Sequence, residues 1–136
     1  MRYLLDTNAC IAEINGTPLP VVERLRAEVR AGSEIHVSSI SLFELWFGVE
    51  KSARREFNGL RLEIFLAGAV RLVRFDGEDS AVAGRVRAIL EAQGTPIGPY
   101  DVLIAGQALA RGLVLVTHNL REFGRVPGLR VEDWQG

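Results

Sequence analysis

Short apolar runs alternate with stretches of helical periodicity along this 136-residue chain, and that alternation restricts the fold more than any other feature. Residues 2–5, 35–37, 70–75, 113–116 and 129–131 read as strands. Between them, helices are predicted from Pro18 and Pro20 to about Arg30, then over 38–50, 54–66, 79–93 and 100–111, with a short helical turn at 120–123. Pro18 and Pro20 suit the entry to a helix, where a missing N–H costs nothing. Apolar residues recur at helical spacing as Ile40, Phe43, Trp46 and Phe47, as Phe57, Leu60, Ile64 and Phe65, and as Val82, Val86, Ile89 and Leu90. Alternating strands and helices give a parallel sheet covered by helices. The expectation is an α/β fold, a single domain over residues 1–136, with residues 52–68 as a small helical arm packed on the main sheet.

Several classes of protein are excluded. No apolar run approaches the roughly 18 residues of a membrane span. The run before Asp6 is far too short for a signal peptide. A lone cysteine, Cys10, rules out an internal disulfide and makes a thiolate metal site a poor reading. These points favour a cytoplasmic protein. The formal net charge is −1 and the pI about 6.1, so a strongly basic footprint is absent. Among the basic residues only Lys51 is a lysine, and the remainder are arginines, which grip phosphate bidentately.

Three acids stand where an apolar run gives way to a new element. Asp6 follows the first strand, Glu44 lies in Ser41-Leu-Phe-Glu44-Leu-Trp, and Asp101 follows Ile97-Gly-Pro-Tyr100 at the mouth of a helix of small residues. Residues just beyond strand ends gather along one edge of a parallel sheet. Carboxylates gathered there repel one another unless a cation holds them, which points to Mg²⁺ or Mn²⁺ and phosphoryl chemistry. Each acid also has a structural reading. Asp6 suits a cap or turn, Ser41-x-x-Glu44 scores as a capping box, and Asp101 suits a first helical turn. Thr117-His118-Asn119 ends another strand on the same edge. There Thr117 and Asn119 could hold a bound water or orient a carboxylate, or cap the turn that follows. His118 reads as a solvent or RNA contact, and His36 as a core or rim histidine.

Together these segments resemble the PIN-domain ribonucleases, and more closely the VapC toxins of bacterial toxin–antitoxin pairs. The resemblance rests on Leu5-Asp6-Thr7-Asn8, on Ser38 to Ser52, on Gly94-Thr-Pro-Ile-Gly-Pro-Tyr-Asp101-Val-Leu-Ile-Ala-Gly106, on Val116-Thr-His-Asn-Leu-Arg-Glu-Phe123 and on Val126 to Trp134. It implies a PIN-like α/β sheet with metal-binding acids at one edge. Asp6 and Asp101 match direct ligands. Glu44 matches an acid that binds through water or activates the nucleophile. Thr7 and Asn119 complete the implied catalytic set, with Asn119 where many PIN domains carry a fourth acid. The implied activity is Mg²⁺- or Mn²⁺-dependent cleavage of structured RNA, in tRNA or ribosomal RNA loops, leaving a 5′-phosphate and a 3′-hydroxyl. Initiator tRNA is the favoured substrate. The alternatives are a non-toxic PIN nuclease of RNA processing, a PIN fold that has lost catalysis and only binds, and a small-substrate phosphatase. No glycine-rich phosphate loop supports the last.

The resemblance also implies a homodimer neutralised by a VapB-like antitoxin whose tail reaches the acids, often with an arginine. Phe43, Trp46, Phe47, Phe57 and Leu60 are expected to form its apolar groove, since so many large apolar groups cannot all face the sheet.

Overall fold

The computed structural model describes residues 1–136. The elements run β1 (Arg2–Leu5), α1 (Thr7–Asn15), α2 (Leu19–Arg30), β2 (Glu34–Ser38), α3 (Ser39–Lys51), α4 (Arg55–Leu66), β3 (Val70–Val73), α5 (Gly77–Ala92), α6 (Pro99–Arg111), β4 (Val114–Val116), α7 (Leu120–Phe123) and β5 (Val131–Glu132). The five strands form one sheet in the order β3-β2-β1-β4-β5, every neighbour parallel. This is the parallel α/β architecture that the alternation predicts. No helix is long and apolar enough to cross a membrane.

Strand side chains alternate between faces, and both faces are covered. Tyr3 and Leu5 of β1 join Ile35, Val37, Val114 and Val116 in a core with α1 to α4 and Trp134. Leu4 and Leu115 point the other way, into a core with α5, α6 and Phe123. Strands buried on both faces must be apolar throughout, which is why they stand out in the sequence. The 52–68 segment packs on the sheet, as an arm rather than a domain. Leu62 of α4 is buried in the first core, and Phe65 and Leu66 pack against it.

Local differences from the sequence reading have local causes. α1 carries small and polar residues with no clear apolar stripe, and the sequence assigned it no helix. Asp6 starts it, Oδ1 accepting from the Ala9 N–H at 2.7 Å. Ser41 and Glu44 form no capping box. Ser38 is the N-cap of α3, and Ser41 is buried in the helix body. The buried face of α3 is Ser41, Leu45 and Val49, which leaves Phe43 and Phe47 exposed. On α4, Phe57, Leu60 and Ile64 are exposed. α5 begins at Gly77 because Asp76 is its cap, in a reciprocal capping box with Asp79. This ends β3 at Val73. β5 is displaced by two residues, because Leu115 bonds Arg130 and Thr117 bonds Glu132 across the edge.

Two contacts set the position of α6. Gly106 faces Ala83 of α5 so closely that an added Cβ would lie 2.5 Å from the Ala83 Cα. At the far end Arg111 donates to Asp79, to Asp76 and to the Arg74 carbonyl, while Gln107 also donates to Asp79. Asp79 is 1 % exposed. Its charge is compensated there by Arg111, and the pair pins the C-terminal end of α6.

Candidate active site

In an open parallel sheet, ligands bind beyond the carboxyl ends of the strands, where the strand order reverses. Here that point lies between β1 and β4. Asp6 follows β1 and is 4 % exposed. Its N–H donates to the Val116 carbonyl of β4, and its side chain caps α1. Capping and siting are therefore one arrangement, since the cap fixes the carboxylate at the strand end. Burial pushes the Asp6 carboxyl above its usual range. Hydrogen bonding from Thr117 and Ala9 opposes the shift, and the Glu44 charge adds to it.

Glu44 reaches the same edge from the body of α3. The Thr7 hydroxyl donates to Glu44 Oε1 at 2.7 Å and lies 3.0 Å from the Ser41 hydroxyl. Thr7 has one proton, so it gives that proton to the carboxylate and accepts from Ser41. Ser41 is fully buried, and the packing of α1 on α3 leaves room only for a small residue there.

Asp101 stands in the first turn of α6. Gly98, the residue before this helix, has no side chain to crowd it, and a Cβ there would lie 3.2 Å from Asp101 Oδ2. Burial raises the Asp101 carboxyl to about 6. The charge of Glu122 and a hydrogen bond with it contribute next, then Glu44 and Asp6. Four carboxyl groups from four distant segments thus share one field.

Glu122 was assigned no role from the sequence. Asn119 donates from Nδ2 to Glu122 Oε2 at 2.6 Å and accepts the Glu122 N–H on Oδ1, while Gly98 N–H donates to Glu122 Oε1. The Asn119 N–H in turn donates to Thr117 Oγ1. Asn119 is therefore a cap that aims a carboxylate. The signal was present, because a cap with a Glu three residues later is a capping spacing, here at a strand end on the acidic edge. His118 points elsewhere, to Asp133 at 3.0 Å. His36 is buried beside Glu34, and Cys10 is buried.

No three acidic, histidine or cysteine side chains stand close enough to form a ready-made metal cage. The donor chemistry nevertheless fits a hard cation. All four groups are carboxylates, and Mg²⁺ retains several waters while binding through one or two carboxylates and substrate phosphate. None of the ion pairs in the molecule involves these four acids, so no arginine or lysine is paired with them, and only the more distant His118 acts on Asp6.

That has a measurable consequence. The Asp101 proton is held more tightly in the folded chain, at about 6 against an ordinary 3.8. Its stabilising effect is full below about pH 4 and is lost as pH rises through 6. His36, held low by burial, acts in the opposite direction over part of that range. The decisive reading is therefore a difference. In chelator, the melting temperature at pH 5 relative to pH 7.5 should be higher for the unaltered protein than for Asp101→Asn. Equal differences would place Asp101 outside the shared field.

Beside Glu44 a cleft of about 240 Å³ runs between α1, α3 and α4, lined by Ile11, Ile14, Leu45, Gly48 and Arg61 among others. Arg61 is held by the Ile14 carbonyl and Asn15 Oδ1, each at 2.8 Å. The five residues expected to form one apolar groove do not line this cleft. Phe43 turns toward Tyr100 of α6 and Phe47 toward Lys51. Trp46 and Leu60 line a separate shallow depression, and Phe57 stacks beneath Arg54. Their helical spacing is real, but the burial of Ser41, Leu45 and Val49 divides them between faces.

The PIN domain family model matches residues 3–129. The chain belongs to the PIN-domain family. Within it the likeness is to VapC proteins. The chain is 44 % identical over 134 residues, 98 % of each chain, to the tRNA(fMet)-specific endonuclease VapC of Salmonella typhimurium. It is 40 % identical, with the same coverage, to the ribonuclease VapC2 of Rickettsia felis. Its fold matches a chain in the crystal structure of R. felis VapBC2 bound to a promoter DNA fragment, with a TM-score of 0.92 over 98 % of this chain and 99 % of that one, at 39 % identity. A DNA-bound VapBC from S. typhimurium gives a TM-score of 0.90 at 43 % identity, with 98 % of each chain covered. These matches take in all four segments that bring acids to the edge of this PIN domain.

Proposed function

We propose that this chain is a divalent-metal-dependent endoribonuclease toxin, held inactive in the cytoplasm by a VapB-like antitoxin. The observation that carries the reading is the convergence of Asp6, Glu44, Asp101 and Glu122 beyond the sheet's switch point, with no arginine or lysine paired with them. The VapC likeness supplies the substrate class. The chain's relatives include an enzyme named for tRNA(fMet), which makes initiator tRNA the favoured substrate.

Asp6 and Asp101 offer oxygens to a Mg²⁺ or Mn²⁺ ion. When bound, such an ion supplies Lewis acidity toward phosphate and a bound water of lowered pKa. Glu44, fixed by Thr7, is placed to accept the attacking water's proton. Asn119 holds Glu122 against Asp101, which keeps the second carboxylate pair close. Asp6 and Asp101, raised by burial, gain most from a cation. Unpaired loops suit the chemistry because splayed bases expose the backbone.

The test is incubation of the pure protein with total RNA and Mg²⁺ or Mn²⁺, followed by cleavage-site mapping. A cut in the anticodon region of initiator tRNA that chelator abolishes is expected. No cleavage with either metal would overturn the reading. Normal growth on expression without a partner would favour a processing nuclease instead. Static light scattering tests the expected homodimer, and a monomer mass removes it.

The α1/α3/α4 cleft suits the apolar face of an antitoxin helix, and it leads to Glu44, where a partner arginine would meet carboxylates. Gly48 lies on this cleft with nothing within 4 Å of where a Cβ would stand. Gly48→Phe should therefore fold, fill the cleft and weaken antitoxin binding by about tenfold or more. Unchanged binding by calorimetry would place the partner elsewhere.

A further inference from the structure

Phe43 and Tyr100 are the residues immediately before Glu44 and Asp101. They sit on different helices, yet their rings meet, with centroids 5.7 Å apart and planes tilted by 50°. The contact does not bury them. Phe43 is 55 % exposed and Tyr100 43 %. Phe47 continues the row one turn along α3, also 56 % exposed, with the Lys51 ammonium 5.1 Å from its ring centre. Neither Phe43 nor Phe47 lines the cleft on the other side of Glu44. An exposed aromatic ledge therefore spans the two helices that carry Glu44 and Asp101, outside that cleft, and it ends in the chain's one lysine.

We propose that this ledge is a stacking platform for an unpaired nucleobase next to the scissile phosphate. The proposal rests on the nuclease reading above. A cation on the carboxylates can hold the scissile phosphate, but it does nothing for the neighbouring base, whose contact must come from something other than charge. Base–aromatic stacking does not depend on charge, and every base has a face to offer. Single-stranded RNA is commonly held by stacking its splayed bases on aromatic side chains. Because the ring pair bridges the same two helices that carry Glu44 and Asp101, a phosphate held at those carboxylates brings its neighbouring nucleotide within reach of the rings. Lys51 lies farther along, positioned for the next backbone phosphate.

Stacking acts in the ground state and the transition state alike, so its loss appears in KM more than in kcat. The test uses an initiator-tRNA anticodon stem–loop with 2-aminopurine beside the mapped cleavage position. Phe43→Ala and Tyr100→Ala should each lower kcat/KM by about 5–150-fold, the equivalent of about 1–3 kcal/mol per stacked base. Most of the change should lie in KM, and Phe43→Trp and Tyr100→Phe should restore it. In chelator, the unaltered protein should quench 2-aminopurine fluorescence and the alanine variants should not. Unchanged kcat/KM in folded alanine variants overturns the platform and leaves the nuclease standing. So does a loss of activity that follows conversion of a dimer to a monomer by light scattering, since the ledge would then be a contact with a second copy. Failure of the unaltered protein to cut any RNA would instead overturn the nuclease reading beneath it.

Discussion

Asp101→Asn is expected to reduce RNA cleavage by about 10²–10³-fold, the scale for removing one preorganised electrostatic group from an active site. Asparagine keeps the size and shape of the side chain, so neither the first turn of α6 nor the approach of Gly98 changes. What is lost is a charge in a basin where Glu122, Glu44 and Asp6 all act on the same group. In the metal-free protein that loss relieves repulsion, and the variant should melt no lower than the unaltered chain near neutral pH. Added Mg²⁺ should raise the melting temperature of the unaltered protein by mass action and that of the variant much less. Initial rates at saturating metal, with melts in chelator and in Mg²⁺, check all three. If Asp101 were only a helix-end group, its replacement would destabilise with or without metal, and cleavage at the normal rate would remove it from the site.

The largest stability effect is expected at Gly106. A Cβ there would stand 2.5 Å from both Ala83 Cα and Cβ and 2.7 Å from its backbone nitrogen. The obstruction is a neighbouring helix backbone, so α5 and α6 must separate. Overpacking of this kind costs about 1–3 kcal/mol and sometimes more, against which alanine returns up to about 1 kcal/mol of helix propensity. Gly106→Ala should therefore be net destabilising by about 1–2 kcal/mol, read as a lower urea midpoint with an unchanged slope. Gly84, inside α5 with open space at its Cβ position, is the control. Gly84→Ala should stabilise by up to about 1 kcal/mol. If both variants shift alike, the helices are not in the contact described.

The strands were legible because burial on both faces demands unbroken apolar runs, as in Tyr3-Leu4-Leu5 and Val114-Leu115-Val116. The alternation also gave the parallel sheet. The strand order was not in the periodicity, and with it went the reason that Asp6 and Thr117 stand side by side. Helix α1 escaped notice because Ala9, Cys10 and Ala12 bury too little surface to mark a face. On α3 the aromatics were expected not all to face the sheet, and Phe43 and Phe47 are indeed exposed, but periodicity did not show that Ser41, Leu45 and Val49 form the buried face. Asp6, Glu44 and Asp101 were visible as acids at element boundaries. Glu122 was not, because its place depends on Asn119 turning α7 back toward Gly98, a contact between residues 24 positions apart.

The sheet order also governs when the acidic edge of this chain can close. β1 emerges first, but Asp6 is anchored by the Val116 carbonyl of β4. Glu122, the last of the four acids, follows Asp6 by 116 residues. A ribosome-bound chain lacking those final segments has no closed acidic edge, whatever its first helices have done. Contacts of such long sequence separation also form slowly. The acidic edge therefore closes late in folding, after segments more than a hundred residues apart in sequence have met, and the helices that form first carry only part of it.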